Sequence, residues 1–137
     1  MVKIVLDTNV LVSGIFFNGA PNKILARMLA GKFQLCVSAE IMAEYDRILG
    51  KMAEAHPGIE YAEILEQIRG AAIVVRDVKL RGQVCSDPDD DKFLACALES
   101  KALLVVSGDR ALLETNGYMG VHVLKPSPFL ALVDEKS

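Results

Sequence analysis

Short, mainly apolar runs set between amphipathic stretches constrain this chain more than any other feature. Val2–Leu6 (VKIVL) is β-branched and apolar without alternation, which is how a strand buried on both faces of a parallel sheet reads. Phe33–Val37, Ile73–Val75, Ala102–Val106 and Val121–Leu124 are the other strand candidates. Between them the apolar spacing is helical. After Pro21 come Ile24, Leu25, Met28 and Leu29, stopped by Gly31. After Ser38, placed as a cap, come Ile41, Met42, Tyr45, Ile48 and Leu49, with Gly50 as the expected end. Tyr61–Ile68 begins a further helix, and Asp87-Pro88 opens one whose buried side carries Phe93, Leu94, Ala97 and Leu98. Arg110–Thr115 and Pro126–Val133 complete the set. This alternation predicts an α/β fold with a mainly parallel sheet of about five strands, helices on both faces, and one domain over 1–137.

Composition narrows the class. The 137 residues are 52% apolar and 24% charged, the balance of a packed globular domain. Mean hydropathy is positive, yet no segment approaches the ~18 apolar residues of a spanning helix. Lys3 and Asp7 interrupt the first apolar run, so it does not read as a signal segment. Cys36, Cys85 and Cys96 form no CxxC pair, and His56 and His122 lie far apart, which argues against disulfides and zinc. The expectation is a soluble, reduced, cytoplasmic protein without membrane contact.

The acidic residues fall at telling positions. In parallel α/β sheets the ligand site lies beyond the carboxyl ends of the strands. Asp7 follows the first strand and Asp109 lies just past the fourth, in Ser107-Gly108-Asp109. Asp87, Asp89, Asp90 and Asp91 stand at the mouth of the helix before that fourth strand, and Glu44 sits about two turns after Ser38. Each acid singly is ordinary turn or helix-start chemistry. As a group they need a counter-charge, because two carboxylates about 4 Å apart repel by roughly 4 kcal/mol at an effective dielectric of 20. Hard divalent cations remove that penalty, since Mg²⁺ and Mn²⁺ prefer carboxylate oxygens and water. Such a pocket suits metal-assisted phosphodiester cleavage.

Four segments, "IVLDTNVLVSG", "SAEIMAEYDRIL", "DPDDDKFLACAL" and "VVSGDRALL", resemble the acidic blocks of PIN domains, and more narrowly the VapC-like toxins of bacterial and archaeal toxin–antitoxin systems. The resemblance runs from the first strand to beyond Asp109, and four blocks in order are far more specific than any one. It implies a three-layer α/β/α sandwich and a Mg²⁺- or Mn²⁺-dependent ribonuclease that hydrolyses single-stranded RNA. It further implies Asp7, Glu44, Asp90 and Asp109 as catalytic acids. Asp7, Asp90 and Asp109 would be the main metal ligands, with Asp91 the alternative within its run and Glu40 the rival of Glu44. Asn9, Ser107 and Asp87 take supporting places.

An acidic protein with a net charge of −3 must still hold a polyanion. With Asp7, Glu44, Asp87, Asp90, Asp91 and Asp109 neutralised by metal, 12 acids face 15 bases. Arg76, Lys79, Arg81, Lys92 and Arg110 are the candidates for phosphate contact. With no Trp and three Tyr, aromatic stacking has little to draw on. The resemblance also implies an antitoxin partner and a homodimer, for which Phe16, Phe17, Met42 and Met52 are candidate contacts. A haloacid-dehalogenase-type phosphatase is the rival enzyme, but it needs a second Asp two residues after the first, where this chain has Asn9. A receiver-like domain, or a PIN scaffold kept only for protein interaction, are the non-enzymatic alternatives.

Overall fold

The computed structural model describes residues 1–135. Its strands are β1 (Lys3–Leu6), β2 (Gln34–Ser38), β3 (Ile73–Val75), β4 (Leu104–Val106) and β5 (His122–Leu124). Its helices are α1 (Thr8–Phe16), α2 (Ala20–Leu29), α3 (Ala39–Ala55), α4 (Tyr61–Ala71), α5 (Asp91–Glu99), α6 (Arg110–Leu113) and α7 (Pro126–Glu135). All strand pairs are parallel, in the order β3-β2-β1-β4-β5. The fold is therefore the expected α/β class. In β1 and β2, Ile4, Val5, Leu6, Leu35, Cys36 and Val37 are all buried, which requires cover on both faces. Helix α5 lies against β1, β2 and β4, while α1, α2, α3, α4 and α7 contact one another. Right-handed crossovers put these two groups on opposite faces.

The order of the strands places the site. The chain steps outward from β1 to β2 to β3, then returns to lay β4 on the other side of β1. Connections leave β1 and β4 in opposite directions, so a crevice opens at the carboxyl ends of these two strands. Leu6 pairs with Val106, which brings the following residues, Asp7 and Ser107, to the same level.

One local expectation is corrected, and one helix lies where the sequence carries no helical signal. Gly50 does not end its helix, because α3 continues to Ala55 and stops at His56-Pro57-Gly58. Gly50 instead admits the Tyr61 hydroxyl, which would lie 3.3 Å from a Cβ there. The helix α1 was not foreseen. It is buried at Thr8, Val10, Leu11, Val12 and Gly14, so it lacks the one-sided stripe that signals a surface helix. Gly14 is needed where α1 meets α2, since a Cβ would sit 2.8 Å from the Pro21 carbonyl oxygen.

Candidate active site

Asp7 directly follows β1 and is the N-cap of α1. Its carbonyl oxygen receives the Val10 and Leu11 N–H groups, so the helix start is satisfied by backbone and the carboxylate is left for other work. That carboxylate is only 5% exposed and accepts the Ser107 hydroxyl at 2.6 Å. Ser107 Oγ in turn accepts the Asp109 N–H at 2.9 Å. One buried hydroxyl thus fixes an acid from β1 against the loop that carries an acid from β4. Replacing Ser107 by Ala should cost about 1–2 kcal/mol by removing both bonds, read as a lower urea midpoint with unchanged slope.

Asp109 caps α6, its Oδ2 accepting the Leu112 N–H at 3.3 Å. Asp90 ends the 3₁₀ turn Pro88–Asp90 and opens α5, and its carboxyl lies within hydrogen-bonding reach of Asp109. Burial first, then the charges of Asp7, Asp109 and Asp87, push Asp90 up to about 7. Burial is also the main reason the Asp7 carboxyl is raised, with Asp109 and Glu44 adding to it and Ser107 opposing. Acids scattered from position 7 to position 109 therefore feel one another as near neighbours.

Glu44, on α3, reaches the same region by a different route. Its Oε2 accepts the Thr8 hydroxyl, and its Oε1 accepts the Lys92 ammonium at 2.8 Å, with Arg47 at 3.9 Å. Its rival Glu40 is exposed in the first turn of α3. The other acids of the run are differently occupied. Asp87 accepts the Asp89 N–H at 3.0 Å and so caps the 3₁₀ turn. Asp91 turns to the preceding loop, both oxygens taken by the N–H groups of Val84 and Cys85 at 3.0 and 2.7 Å. Asn9 is exposed in the first turn of α1, and its N–H supports the Asp7 carboxylate.

The basic residues divide sharply. Lys92 is a correction: its side chain is 5% exposed and bonded to Glu44 and Asp89, so it does not face a phosphate. Arg76 and Arg110 are exposed and paired with Glu99 and Glu114 at 2.9 and 3.1 Å. Lys79 and Arg81 are exposed on the loop between β3 and the 3₁₀ turn. Of the candidate contact residues, Met42 is buried in the core whereas Phe17 stays half exposed beside His56.

Beside the acids, a groove of about 390 Å³ is lined by Asn9, Ser13, Gly108 and Asp109. A larger cavity, about 620 Å³, lies elsewhere against Val2, Leu104 and Phe129 and contains none of the acids. Three residues have roles beyond those expected from sequence: Thr8 has no place among the expected site residues, Tyr45 is expected only as core and Lys92 only as a phosphate contact. Thr8 and Tyr45 carry hydroxyls that reach Glu44 and the Leu6 carbonyl (2.6 Å for the latter). Lys92 carried a signal: a lysine in the first turn of a helix faces the wrong end of the dipole, so it needs acids around it. Among the described residues no helix is long and apolar enough to cross a membrane, and the three cysteines are buried free thiols.

Comparison with known proteins agrees with the fold. A family model described as "PIN domain" matches residues 3–111. The uncharacterized protein MJ1680 of Methanocaldococcus jannaschii is 31% identical, the match covering 93% of this chain and 87% of that protein. The crystal structure of PAE2754 from Pyrobaculum aerophilum superposes with a TM-score of 0.62 at 15% identity, covering 98% of this chain and 90% of that one, a likeness of fold.

Proposed function

We propose that this chain, which belongs to the PIN domain family, is a divalent-metal-dependent endoribonuclease acting on single-stranded RNA, built as one nuclease domain over 1–137. PIN domains are in general metal-dependent nucleases, and the finer reading rests on one observation. Asp7, Asp90 and Asp109 converge at the β1–β4 crevice, where burial first raises Asp7 and Asp90, Asp109 adding to both and Asp7 to Asp90.

The donor set fits a hard cation by its chemistry, being oxygen throughout with no His or Cys among the converging acids. Among the described residues no three such side chains stand at ion-holding spacing. Asp7, Asp90 and Asp109 would hold the ion. The chemistry such an ion would supply when held there is activation of water and neutralisation of charge developing on the phosphodiester. The chain's own residues do the rest. Ser107 orients Asp7 and ties it to Asp109, and Thr8 and Lys92 fix Glu44 nearby. The groove along Asn9, Ser13 and Gly108 gives the strand a path, with Arg110, next to Asp109, and the exposed Lys79 and Arg81 of the loop after β3 as phosphate contacts. Asp7 is recessed, which favours a flexible single strand over a stiff duplex.

An acidic crevice of this kind also suits the basic side chain of an inhibitory antitoxin, so we assign the chain to the toxin half of such a pair, cytoplasmic and with exposed Phe17 offered to a homodimer. The decisive assay uses labelled single-stranded RNA with Mn²⁺. Internal cleavage that stops with excess chelator supports the reading. Cleavage that survives chelation, or release of inorganic phosphate from small phosphomonoesters in its place, overturns it.

The raised acids make a second, independent prediction. Asp90 titrates near 7 in the folded protein but near its ordinary 3.8 in the unfolded chain. Between those values the folded state binds more protons, so stability falls as pH rises from about 4 to about 7. After allowance for solvent screening of a partly exposed carboxyl, the loss from this group is about 1–2 kcal/mol. Metal-free melting scans across this range should show it, and Mn²⁺ added at about pH 7.5 should reverse it.

A further inference from the structure

Lys92 is the second residue of α5, at the helix end whose dipole repels cations, and its side chain is almost wholly removed from water. All three of its N–H donors are nonetheless used: by Glu44 Oε1 at 2.8 Å, Asp89 Oδ2 at 3.0 Å and the Asp89 carbonyl at 2.9 Å. The remaining Glu44 oxygen accepts the Thr8 hydroxyl. The relay from Lys92 through Glu44 to Thr8 joins the starts of α5 and α1 to the body of α3, one residue from Asp7. Both Glu44 oxygens are thereby committed within the protein. Asp90, in contrast, is met by other carboxylates.

We propose that Lys92 is a positioning residue, an internal counter-ion that locks Glu44 onto Thr8 and keeps that carboxylate out of the divalent-ion shell, leaving the ion to Asp7, Asp90 and Asp109. This rests on the metal-dependent nuclease reading and divides the four acids into three that hold the ion and one that braces the helices around it. A lysine that merely filled space would not make the behaviour of Glu44 depend on its charge.

Manganese affinity, followed by the loss of the free-ion paramagnetic resonance signal, separates these roles without reference to cleavage. Glu44→Gln should leave the Mn²⁺ dissociation constant within about threefold, whereas Asp90→Asn should weaken it by about tenfold or more. Lys92→Met should free an anionic carboxylate beside the ion and tighten Mn²⁺ about three- to tenfold. Adding Glu44→Gln to Lys92→Met should return affinity to the wild-type value. RNA cleavage by Lys92→Met should fall about tenfold in kcat with KM little changed, and Lys92→Arg should recover part of it. Glu44→Gln weakening Mn²⁺ as much as Asp90→Asn would overturn the proposal, as would unchanged or weaker Mn²⁺ binding by folded Lys92→Met. If Lys92→Met does not fold, the Glu44→Gln comparison decides alone. Wild-type protein that binds no Mn²⁺ would bring down the nuclease reading together with this inference.

Discussion

Asp90→Asn is expected to reduce RNA cleavage by about 10³-fold or more while leaving the metal-free protein as stable as before, or more so. The two halves have one cause. Asp90 stands against Asp7, Asp109 and Asp87, and its carboxyl is raised to about 7 by burial first and then by those three charges, which make a further negative charge there unfavourable without a cation. The amide keeps the shape and a hydrogen-bonding oxygen but removes the charge. Repulsion is relieved, and so is the attraction for a divalent ion. A loss of 10³ corresponds to about 4 kcal/mol of transition-state stabilisation, a reasonable share for a metal ligand. Cleavage of labelled RNA and the melting temperature, measured on the same preparation without metal, test both parts. A variant that loses activity because it has lost its fold would contradict the expectation, and so would one that cleaves at the wild-type rate. The pattern is the stability–activity trade-off of a site that stores repulsion until its ligand arrives.

Phe93→Ala should have the largest effect on stability, about 3–5 kcal/mol. The ring is fully buried on α5, the helix that lies against β1, β2 and β4. Domains of this kind have only about 5–15 kcal/mol in hand, so the change takes a large share. Its consequence for the site is indirect but strong, because Asp90 and Lys92 ride on the first turn of that helix. Urea unfolding should show the midpoint moving sharply, while Phe93→Leu should cost less than about 1.5 kcal/mol. A small effect of Phe93→Ala would mean that α5 is held by something other than its core face.

The sheet was readable because its strands advertise burial locally. Val2–Leu6 and Ala102–Val106 are apolar on both faces, and the structure gives β1 and β4 with starts later by one or two residues. Ser38 and Asp87 were readable as caps because capping is a matter of two or three neighbouring residues, and both accept the N–H expected of them. Helix α1 was not readable. Its burial on nearly all sides erases the period that betrays a helix packed on one face. Gly50 misled for a related reason: glycine marks an ending only where the backbone needs it, and here it makes room for Tyr61.

Asp7, Asp109 and the Asp87–Asp91 run stood out in the sequence because their chemistry and their places after strands or at a helix start are local facts, whereas the choice of Glu44 and of Asp90 within its run came from the resemblance to PIN domains. What those side chains touch is not local. Ser107 meets Asp7 across 100 positions, Lys92 meets Glu44 across 48, and Tyr45 meets the Leu6 carbonyl across 39. Amino-acid order alone determined an alternating α/β chain and which oxygen donors it could bring to a crevice. Only the tertiary structure decided that β4 lies beside β1, that Asp91 serves a loop, and that Lys92 answers Glu44 instead of a phosphate. The reason is that periodicity encodes how much of a residue is buried, whereas the partner of a buried charge is chosen by long-range packing, where the cost of leaving that charge unpaired is highest.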